Sequence, residues 1–545
     1  MKRWNGWGDD KNNFSFELTQ TSQHYIENIV GKGTPLAPIS LADAIAKVPP
    51  SKAPEHQLIN TSAEVRLRHC TGQSIPDWIA THSGNFDAFP DGVAFPKTTA
   101  QVHTLLEFAK QEDLIVIPYG GGTSVCGHIN PVNHHRPIIT IALSEMNQLI
   151  DFDELSQVAT FGAGTLGPDV EKQLATLGYT LGHFPQSWEL STVGGWVASR
   201  SSGQQSLRYG RIEKLFAGGT VVTPKGAIDI PTFPASSAGP DMREMVLGSE
   251  GRMGIITEVK MRVTKIAQQE YFYVAFLPNW QTGIAATRDI AQAGVQLSMM
   301  RLSNAVETAS HLTLAGHDTA VKYLEKYLRL RGIANDDSKT MFTFGITGSK
   351  AQCQSALKIT KQFINQHSGV YIGTALGKHW QHSRFRSPYL RQGFWDIGVV
   401  VDTMETCVDW SAVPDTVNTI ESAIANALTP QTNCAKASGT SEEPEKIHVF
   451  THLSHFYGQG CSIYTTFLFR MGKDYDTTLK RWQLIKAAGA QAIVKQGGTI
   501  SHQHGVGKDH APYLAAEKGE LGIAAIKGLC QVFDPDKRMN PGTLV

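Results

Sequence analysis

The chain has 545 residues, of which 41% are hydrophobic and 18% are charged, a composition typical of a globular protein with two or three domains. Lys plus Arg and Asp plus Glu both number 49, so the net charge gives no general attraction for nucleic acid or for anionic membranes. Seven cysteines without C-x-x-C spacing argue against a disulfide framework or a zinc ribbon, and they favour a reducing compartment.

The N-terminal part of the chain, residues 1–90, is predicted to be a helical and loop-rich arm. Its polar start, MKRWNGWGDDKNN, lacks the apolar region of a signal peptide. No run in the chain is apolar for long enough to span a membrane. Together with the cysteine pattern, these features predict a cytoplasmic protein.

From about residue 91 the pattern changes to short β runs separated by glycines, which predicts a first folded domain over 91–270. VAFP, TAQVHTLLEFAKQED and LIVIPY are typical of strand, helix and strand. Further strands are predicted at PIITIAL and QVATFGAG, with a helix near 167–177. The period-two alternation of GIITEVKMRVT predicts a half-buried strand that closes the domain.

Residues 271–495 are predicted to form a second domain, an antiparallel sheet covered by helices. Its strands are EYFYVAFL, TMFTFGIT and IYTTFLFR, and its helices are ATRDIAQAG, TAVKYLEKYLRLRG and TLKRWQLIKAAGAQAIVKQ. The polar stretch 430–448 is expected to be a surface loop. Residues 496–545 are expected to return to the first domain and to the active site.

A glycine loop at 118–124, PYGGGTS, is the first motif with chemical content. Glycines allow backbone N–H groups to approach a diphosphate without interference from a Cβ atom. A P-loop is excluded because His128 stands where Lys is needed. The G-x-G-x-x-G pattern fails because Val125 replaces the third glycine. Alone, such a loop is more often a tight turn.

Two further glycine and hydroxyl blocks make a ligand site more specific. In SWELSTVGGW, Ser191 and Thr192 precede a glycine-opened helix, whose N-terminus and hydroxyl caps can seat an anion. SRSSG follows at 199–203, and GSEGRMG at 248–254 leads straight into the strand at 255–263. Three such loops, each joined to a strand or helix, are far more specific than one.

The order PYGGGTSV, ELSTVGGW, YGRIE and GSEGRMGIITE resembles the FAD domain of the vanillyl-alcohol oxidase/p-cresol methylhydroxylase superfamily. RWNGWGDD, GHFPQSWELSTVGGWVASRSSG, RSPYLRQGF, GCSIYTTF and SHQHGVGK resemble the alkyldihydroxyacetonephosphate synthase family and extend the resemblance over nearly the whole chain. The closing FDPDKRMNPGTLV also resembles flavin-dependent D-lactate and glycolate dehydrogenases. The resemblance implies an α+β fold with a two-subdomain p-cresol methylhydroxylase-type FAD-binding domain and an antiparallel-sheet cap domain flanked by helices.

FAD is the cofactor that this resemblance implies. The superfamily commonly attaches FAD through a histidine in the first glycine loop, which GGGTSVCGH lacks. Non-covalent FAD is therefore expected, with Cys126 and His128 nearby. The implied FAD contacts are Pro118, Tyr119, Gly120, Gly121, Gly122, Thr123, Ser124, Gln186, Ser187, Trp188, Glu189, Leu190, Ser191, Thr192, Ser199, Arg200, Ser201, Ser202, Glu250, Gly251, Arg252, Met253, Gly254, Ile255 and Ile256.

In the family register, Arg391 would hold the phosphate of the substrate and Tyr464 would stand beside the reacting carbon. A guanidinium suits bidentate phosphate recognition, and a phenol can relay a proton or hold an oxyanion. Without that register, such an arginine is usually a surface residue and such a tyrosine a core residue. Arg301 is a second candidate for anion contact, and a structural salt bridge is an equal alternative for it.

His502 and His504 are the candidates for proton transfer. Their spacing can place both imidazoles on one side of an extended segment, and imidazoles titrate near neutral pH. The synthase family usually has three consecutive histidines here, whereas Gln503 stands in the middle of this run. A metal site that also uses His452 and His455 is the second interpretation, but no acidic or thiolate residue has ligand spacing, so no metal is predicted.

The resemblance implies exchange of the acyl group of an acyl-dihydroxyacetone phosphate for a fatty alcohol through a flavin N5 adduct, as in ether-lipid synthesis. The alternative is a flavin-dependent 2-hydroxyacid dehydrogenase, in which a hydride passes to N5. A flavin-binding module without catalysis is disfavoured because the arginine, tyrosine and histidine motifs occur together. The expected partner is a small molecule, either a lipid phosphate or a hydroxy acid, and not nucleic acid. Peripheral membrane contact and a homodimer are left open.

Overall fold

The computed structural model describes residues 2–10, 18–314, 318–334, 338–429 and 445–545. Two compact units divide the chain. The first unit comprises Met1–Asn13, Ala37–Ile266 and Gln503–Val545, and the second comprises Phe14–Leu36 and Ala267–His502. Most of the predicted surface loop at 430–448 lies outside the described residues, and its last residue begins a strand.

Helices and short strands alternate along the chain. The helices are α1 Gln20–Val30, α2 Leu41–Ala46, α3 Ala63–Arg68, α4 Ile75–Ser83, α5 Thr99–Gln111, α6 Gly167–Ala175, α7 Val193–Ser199, α8 Ser206–Tyr209, α9 Ile212–Leu215, α10 Met242–Val246, α11 Trp280–Gln292, α12 Ala305–Leu314, α13 Asp318–Leu330, α14 Lys350–Gln366, α15 Ala375–Ser383, α16 Ser387–Trp395, α17 Val413–Ala425, α18 Tyr475–Lys495 and α19 Leu514–Phe533. The strands are β1 Ile59–Asn60, β2 Gly92–Ala94, β3 Ile115–Tyr119, β4 Ile138–Ala142, β5 Leu149–Asp153, β6 Val158–Gly162, β7 Tyr179–Thr180, β8 Phe216–Thr223, β9 Gly226–Ile230, β10 Ile255–Arg262, β11 Thr264–Lys265, β12 Gln269–Leu277, β13 Met299–Ser303, β14 Thr340–Gly348, β15 Val370–Gly373, β16 Val399–Asp409, β17 His448–Phe456 and β18 Gly460–Arg470. Short 3-10 helices lie at Trp410–Ala412 and Ala511–Tyr513.

Two larger sheets organise the first unit. The four-stranded sheet has the order β1-β2-β4-β3, in which β2 and β3 run parallel to β4 and β1 is antiparallel to β2. The five-stranded sheet is antiparallel, with the order β5-β6-β10-β8-β9. One hydrophobic core joins them, with Val116 and Ile139 from the first sheet, Phe161 and Val259 from the second, and Leu105 from α5.

Local sequence accounts for the elements that border the glycine loops. Helix α5 begins after Thr98, whose side chain accepts a hydrogen bond from the backbone N–H of Gln101. On β10, Val259 and Met261 are buried, whereas Lys260 lies between them and is only half-buried. This confirms the strand that the period-two alternation predicts.

A seven-stranded sheet forms the centre of the second unit, with the order β15-β12-β14-β13-β17-β18-β16. Every neighbouring pair is antiparallel, which confirms the predicted arrangement. Phe344 and Ile463 of the sheet pack with Ile290 of α11 and Val417 of α17. Among the described residues, no helix is both long and apolar enough to cross a membrane.

Strand β16 was not predicted from the sequence, because the buried face of this strand is not uniformly apolar. Asp402 and Thr406 are buried on the same side as Met404 and Val408, so polar and apolar residues share one face of the strand. Period-two reading requires one consistently apolar face. Tertiary contacts therefore decide this strand.

Candidate cofactor and substrate sites

The first glycine loop follows β3 and packs directly on the second glycine block. A Cβ atom on Gly121 would lie 1.7 Å from the carbonyl oxygen of Leu190, and one on Gly120 would lie 2.4 Å from Oγ1 of Thr192. Gly122 has a φ of +67°, which favours glycine. Throughout the described residues, no protein acceptor takes a hydrogen bond from the backbone N–H groups of residues 120–124. These groups therefore form a run of donors that the fold itself does not use.

The second block starts α7. Oγ1 of Thr192 accepts a hydrogen bond from the backbone N–H of Gly195 at 3.3 Å, which confirms the predicted hydroxyl cap. Oγ of Ser191 accepts a hydrogen bond from Nε1 of Trp196 at 2.7 Å. The turn before the helix is closed by the carbonyl oxygen of Ser187, which accepts from the N–H of Ser191 at 2.9 Å. The block is thus a rigid turn and helix start beside the first loop.

Residues 199–202, which follow the second block, end α7. Arg200 caps the helix in the left-handed conformation, and its guanidinium pairs with Glu244 at 2.8 Å near the surface. Oγ of Ser201 lies 3.2 Å from Nε2 of the buried His183. Burial, followed by the charge of Arg211, lowers the pKa of His183 to about 3, so its imidazole is neutral at pH 7.

Glu250 lies at the centre of a buried hydrogen-bond cluster that we call the Glu250 clamp. Its carboxylate accepts hydrogen bonds from the backbone N–H groups of Val506 at 2.5 Å and Gly507 at 2.8 Å, and it lies 3.2 Å from Nε2 of His128. Nδ2 of Asn540 donates to the carbonyl oxygens of His128 and Glu250. Burial opposes protonation of His128, but the charge of Glu250 outweighs it and raises the pKa of His128. Glu250 was predicted to contact FAD, but its carboxylate binds the C-terminal segment at residues 506 and 507.

The other predicted FAD contacts lie around these loops in the first unit. Nη1 of Arg252 donates to the carbonyl oxygen of Met539. Gln186 is exposed. Half-buried are Pro118, Gly120, Gly121, Thr123, Ser124, Ser187, Trp188, Glu189, Leu190, Ser199, Arg200 and Arg252. Buried are Tyr119, Gly122, Ser191, Thr192, Ser201, Ser202, Glu250, Gly251, Met253, Gly254, Ile255 and Ile256.

In the second unit, Tyr464 stands on a half-buried face of the sheet. It lies opposite His452 in the register of β17 and β18, and the two rings stack with centroids 4.9 Å apart. Its hydroxyl donates to Oγ1 of Thr403 on β16 at 3.1 Å. Burial, followed by the charge of Glu405, raises the pKa of the phenol, so Tyr464 remains protonated at neutral pH.

Arg301 belongs to a buried ion-pair cluster on the same face. Its Nη2 donates to Oε1 of Glu307 at 2.7 Å and lies 3.1 Å from Nδ1 of His452. Burial favours the neutral carboxyl, but the charge of Arg301 outweighs it and holds the pKa of Glu307 well below its usual range. Burial, with the charge of Arg301, lowers the pKa of His452 to about 4. The structural salt bridge is therefore present, and substrate contact by Arg301 stays a prediction.

Arg391 on α16 meets a carboxylate on the edge strand of the sheet. Its Nη2 lies 3.5 Å from Oδ1 of Asp402, and Nζ of Lys486 lies 3.5 Å from Oδ2. Nε1 of Trp482 donates to Oδ2 at 2.7 Å. Burial opposes ionisation of Asp402, but Lys486 and then Arg391 outweigh it and lower its pKa. Arg391 and Lys486 thus both contact the carboxylate of Asp402. Sequence reading missed Asp402 and Lys486, because neither lies in a recognisable motif.

The histidine run is divided between the two units, since His502 ends the second and Gln503 and His504 belong to the first. Nε2 of His502 lies 2.8 Å from the hydroxyl of Tyr457, and its ring lies 4.9 Å from that of His455. The chain bends at 502–504, so the expectation of an extended segment is wrong. Spacing alone therefore does not align the two imidazoles, because the period of two holds only for extended backbone.

The metal interpretation gains no support from this geometry. Within the described ranges, no group of three or more His, Cys, Asp or Glu side chains is arranged to hold a metal ion. The nearby thiol of Cys126 is buried, 3.6 Å from the carbonyl oxygen of His504 and 3.8 Å from Nδ1 of His510.

Comparison with protein families matches both parts of the chain. The model described as "FAD linked oxidases, C-terminal domain" matches residues 266–544, and the one described as "FAD binding domain" matches residues 90–229. These matches support the predicted FAD cofactor.

Among curated relatives, two alkyldihydroxyacetonephosphate synthases align over most of the chain. The protein from Trypanosoma brucei brucei is 26% identical over 100% of this chain and 92% of its own length. The one from Dictyostelium discoideum is 29% identical over 88% of this chain and 77% of its own length. A mitochondrial D-lactate dehydrogenase (cytochrome) from Arabidopsis thaliana is more distant, at 23% identity over 84% of this chain and 73% of its own length.

Solved structures agree with these relatives. A structure of alkyldihydroxyacetonephosphate synthase superposes with a TM-score of 0.82 at 25% identity, covering 99% of this chain and 98% of the other. Substrate-bound p-cresol methylhydroxylase superposes with a TM-score of 0.67 at 13% identity over 89% of this chain and 93% of the other, which shows the fold alone. The predicted fold class, a p-cresol methylhydroxylase-type FAD-binding domain with an antiparallel-sheet cap domain, is confirmed.

Proposed function

Because this chain belongs to the family of FAD linked oxidases, we propose that it is an FAD-dependent enzyme of the alkyldihydroxyacetonephosphate synthase type. It would exchange the acyl group of an acyl-dihydroxyacetone phosphate for a fatty alcohol. The bond from the substrate carbon to the acyl oxygen breaks, a fatty carboxylate leaves, and a bond to the alcohol oxygen forms. The alcohol gives up its proton, and the exchange has no net redox change.

FAD would be held by the first unit. The free backbone donors of residues 120–124 and the hydroxyl-capped turn at 187–192 suit a diphosphate, which needs several N–H and O–H donors at close range. When bound, FAD supplies an electrophilic ring that can stabilise charge developing on the substrate carbon. Binding is proposed to be non-covalent. In support, His128 is engaged in the Glu250 clamp, and the thiol of Cys126 is packed beside His504 and His510.

The phosphate of the substrate would bind to Arg391 and Lys486. Both cations are mostly buried, and both contact the carboxylate of Asp402. A partly desolvated guanidinium binds phosphate strongly through paired N–H donors, and the ammonium adds a second charge. Asp402 would hold both side chains in place before the substrate arrives.

Tyr464 would hold the oxygen of the reacting carbon. Its raised pKa makes the phenol a hydrogen-bond donor and not a base. Thr403 accepts a hydrogen bond from the phenol and is the neighbour of Asp402 on β16, so the phenol and the cationic cluster both contact this strand. This placement, together with the similarity to the synthases over the whole chain, carries the proposal.

Proton transfer is assigned to His502 and His504. The hydroxyl of Tyr457 can fix the orientation of the His502 ring through Nε2. The Glu250 clamp holds the backbone of residues 506 and 507, only two positions beyond His504. Gln503 cannot titrate near neutral pH, so it can only donate or accept a hydrogen bond.

Anaerobic mixing of the purified protein with substrates tests the proposal. An acyl-dihydroxyacetone phosphate and a fatty alcohol should yield the ether product and leave the flavin oxidised at the end of turnover. The alternative, a 2-hydroxyacid dehydrogenase, predicts lasting bleaching of the flavin by D-lactate or glycolate. Bleaching by a hydroxy acid without ether product would overturn the synthase assignment. A flavin-binding module without catalysis would show neither response.

A further inference from the structure

The motif RWNGWGDD near the start of the chain has no part in the reaction proposed for this protein. With Lys2 before it, the motif forms a tight turn over residues 2–10, which we call the N-terminal hairpin. Lys2 and Asp9 pair as an antiparallel bridge, and the backbone N–H of Arg3 donates to the carbonyl oxygen of Gly8 at 3.0 Å. Gly8 has a φ of +106°, which favours glycine, so the shape of the hairpin accounts for this glycine.

Hydrogen bonds hold the N-terminal hairpin on the first unit. Nη1 of Arg68 donates to the carbonyl oxygen of Lys2 at 2.9 Å and to Oδ2 of Asp10 at 3.1 Å. Nε2 of Gln73 donates to the carbonyl oxygen of Gly6 at 3.3 Å. The side chain of Lys2 therefore extends from a backbone that is fixed on both sides of the turn.

That side chain ends on the first glycine loop. Nζ of Lys2 donates to the carbonyl oxygen of Gly122 at 2.6 Å and to the hydroxyl of Tyr119 at 3.1 Å. It lies 5.6 Å from the centre of the tyrosine ring. A Cβ atom on Gly122 would overlap Nζ of Lys2 and the hydroxyl of Tyr119, so the lysine occupies the space beside this glycine. A hydrogen bond from a charged donor is about twice as strong as one between neutral groups.

A bond to this carbonyl oxygen fixes the direction of the next N–H group. In a trans peptide the C=O of one residue and the N–H of the following residue share a plane and point in opposite directions, and no described peptide bond is cis. Because the carbonyl of Gly122 points at Lys2, the N–H of Thr123 points away from Lys2. The carbonyl oxygen of Ser124 likewise accepts from the backbone N–H of Gln73 at 2.6 Å. Both carbonyls of the loop thus bind the N-terminal part of the chain.

We propose that Lys2 is a positioning residue of the FAD site, which orients the N–H of Thr123 toward the diphosphate. Among the described residues this N–H has no protein acceptor, so it is available to a ligand. Donors that are aligned before the ligand arrives bind it more tightly, because less conformational freedom is lost on binding. The inference rests on the proposed seat of the diphosphate at residues 120–124, and it adds a side chain that lies outside every glycine block.

FAD titration of the apoprotein tests this inference. The flavin is removed from the full chain, and FAD is added back while its fluorescence is followed. Lys2→Met removes the donor and keeps a side chain of similar length, so FAD should bind about tenfold more weakly, the lower end of the range for a hydrogen bond to a charged group. Lys2→Arg restores a charged donor and should recover most of the affinity. Lys47→Met is the matched control, since Nζ of Lys47 donates to the carbonyl oxygen of Gly84 at 3.1 Å, and it should bind FAD like the unaltered protein.

Two further measurements separate positioning from general stability. The phosphorus NMR resonances of bound FAD should shift in Lys2→Met, return in Lys2→Arg and stay unchanged in Lys47→Met. Weaker FAD binding with unchanged phosphorus resonances would assign Lys2 to overall stability and overturn the inference. In the unaltered protein, FAD should slow hydrogen exchange at the N–H of Thr123, because the diphosphate becomes its acceptor. Equal exchange with and without FAD would overturn the inference even if Lys2→Met did not fold.

The Gly121→Ala variant distinguishes this inference from the proposed seat of the diphosphate. If Gly121→Ala binds FAD normally, the diphosphate lies elsewhere and both proposals are wrong. If Gly121→Ala loses FAD while Lys2→Met binds it like the unaltered protein, only the role of Lys2 is contradicted. FAD binding is measured without substrate, so an absence of ether product would contradict only the proposed reaction.

Discussion

The carboxylate of Glu250 accepts a hydrogen bond from the backbone N–H of Gly507 at 2.8 Å, across 257 positions of sequence. Both groups are buried, and the second oxygen receives the N–H of Val506. A buried carboxylate with two backbone donors fixes the donor segment strongly, because each partner left alone would lose its solvation. Glu250 is therefore a positioning residue for the segment that follows His504.

Glu250→Gln should loosen this segment without removing FAD. An amide offers only one acceptor oxygen to two backbone donors, and it no longer carries the charge that faces His128. We expect a loss of about 1.5–3 kcal/mol in the free energy of unfolding, measured by urea titration. Hydrogen exchange should accelerate at residues 506 and 507. Glu244→Gln at the surface is the control, and equal exchange rates in the two variants would show that the clamp is not holding the segment.

Gly121→Ala should abolish FAD binding. The added Cβ would lie 1.7 Å from the carbonyl oxygen of Leu190, so the first loop must move away from the second block. Flavin absorbance of the purified variant measures the outcome, and acid precipitation of the unaltered protein should release all of its FAD into the supernatant. Gly528→Ala in α19 has open space around its Cβ and should keep full FAD content. Normal FAD content in Gly121→Ala would place the diphosphate elsewhere.

Arg391→Lys should weaken binding of the phosphorylated substrate far more than it changes FAD content. The paired N–H donors are lost while the positive charge beside Asp402 remains. Loss of one charge-assisted hydrogen bond costs about 1.5–3 kcal/mol, or about tenfold to a hundredfold in affinity. Titration with acyl-dihydroxyacetone phosphate in the absence of the fatty alcohol, followed through the flavin spectrum, measures this affinity. Unchanged affinity in Arg391→Ala as well would remove this arginine from the phosphate site.

Tyr464→Phe should retain the fold and the flavin spectrum but lose most turnover. The phenylalanine can still stack on His452, while the donor to the substrate oxygen is gone. Removal of one such donor costs about 10²–10³ in kcat. Thr403→Val removes the resting partner of the phenol and leaves the phenol itself, so its effect on kcat should be much smaller. If Tyr464→Phe turns over normally, the tyrosine serves packing alone.

Acidification should destabilise the protein between pH 6.5 and about 4. Burial lowers the pKa of His82 and of His452 to about 4, and burial with Arg211 lowers that of His183 to about 3. In this window the unfolded chain binds protons that the folded chain does not, so stability falls as pH falls, by up to about 1.4 kcal/mol per histidine and pH unit. Burial also lowers the pKa of His69 and of His448 to about 4, whereas Asp77 and Glu421, whose pKa values burial raises, act in the opposite direction.

Urea midpoints at a series of pH values would measure this dependence. His183→Asn should reduce the slope, since it removes one of the histidines whose pKa is lowered by burial. A midpoint that stays constant from pH 7 to pH 5 would contradict the prediction.

The sequence alone determined the features that depend on neighbouring residues. Backbone geometry within a few positions sets the alternation in β10, the Thr192 cap of α7 and the high glycine content of the loops. Local pattern was therefore sufficient to predict these features. Resemblance to a known family, carried by those same motifs, supplied the fold class and the cofactor.

Only the tertiary structure decided which distant side chains meet. Asp402 contacts both Arg391 and Lys486, and Glu250 binds Gly507. These residues are far apart in sequence, so no periodic pattern predicts that they meet. The order of strands in the sheets brings such residues together, and buried polar groups then require partners. The bend at 502–504 likewise could not be predicted from the histidine spacing, because a spacing of two fits both bent and extended backbone.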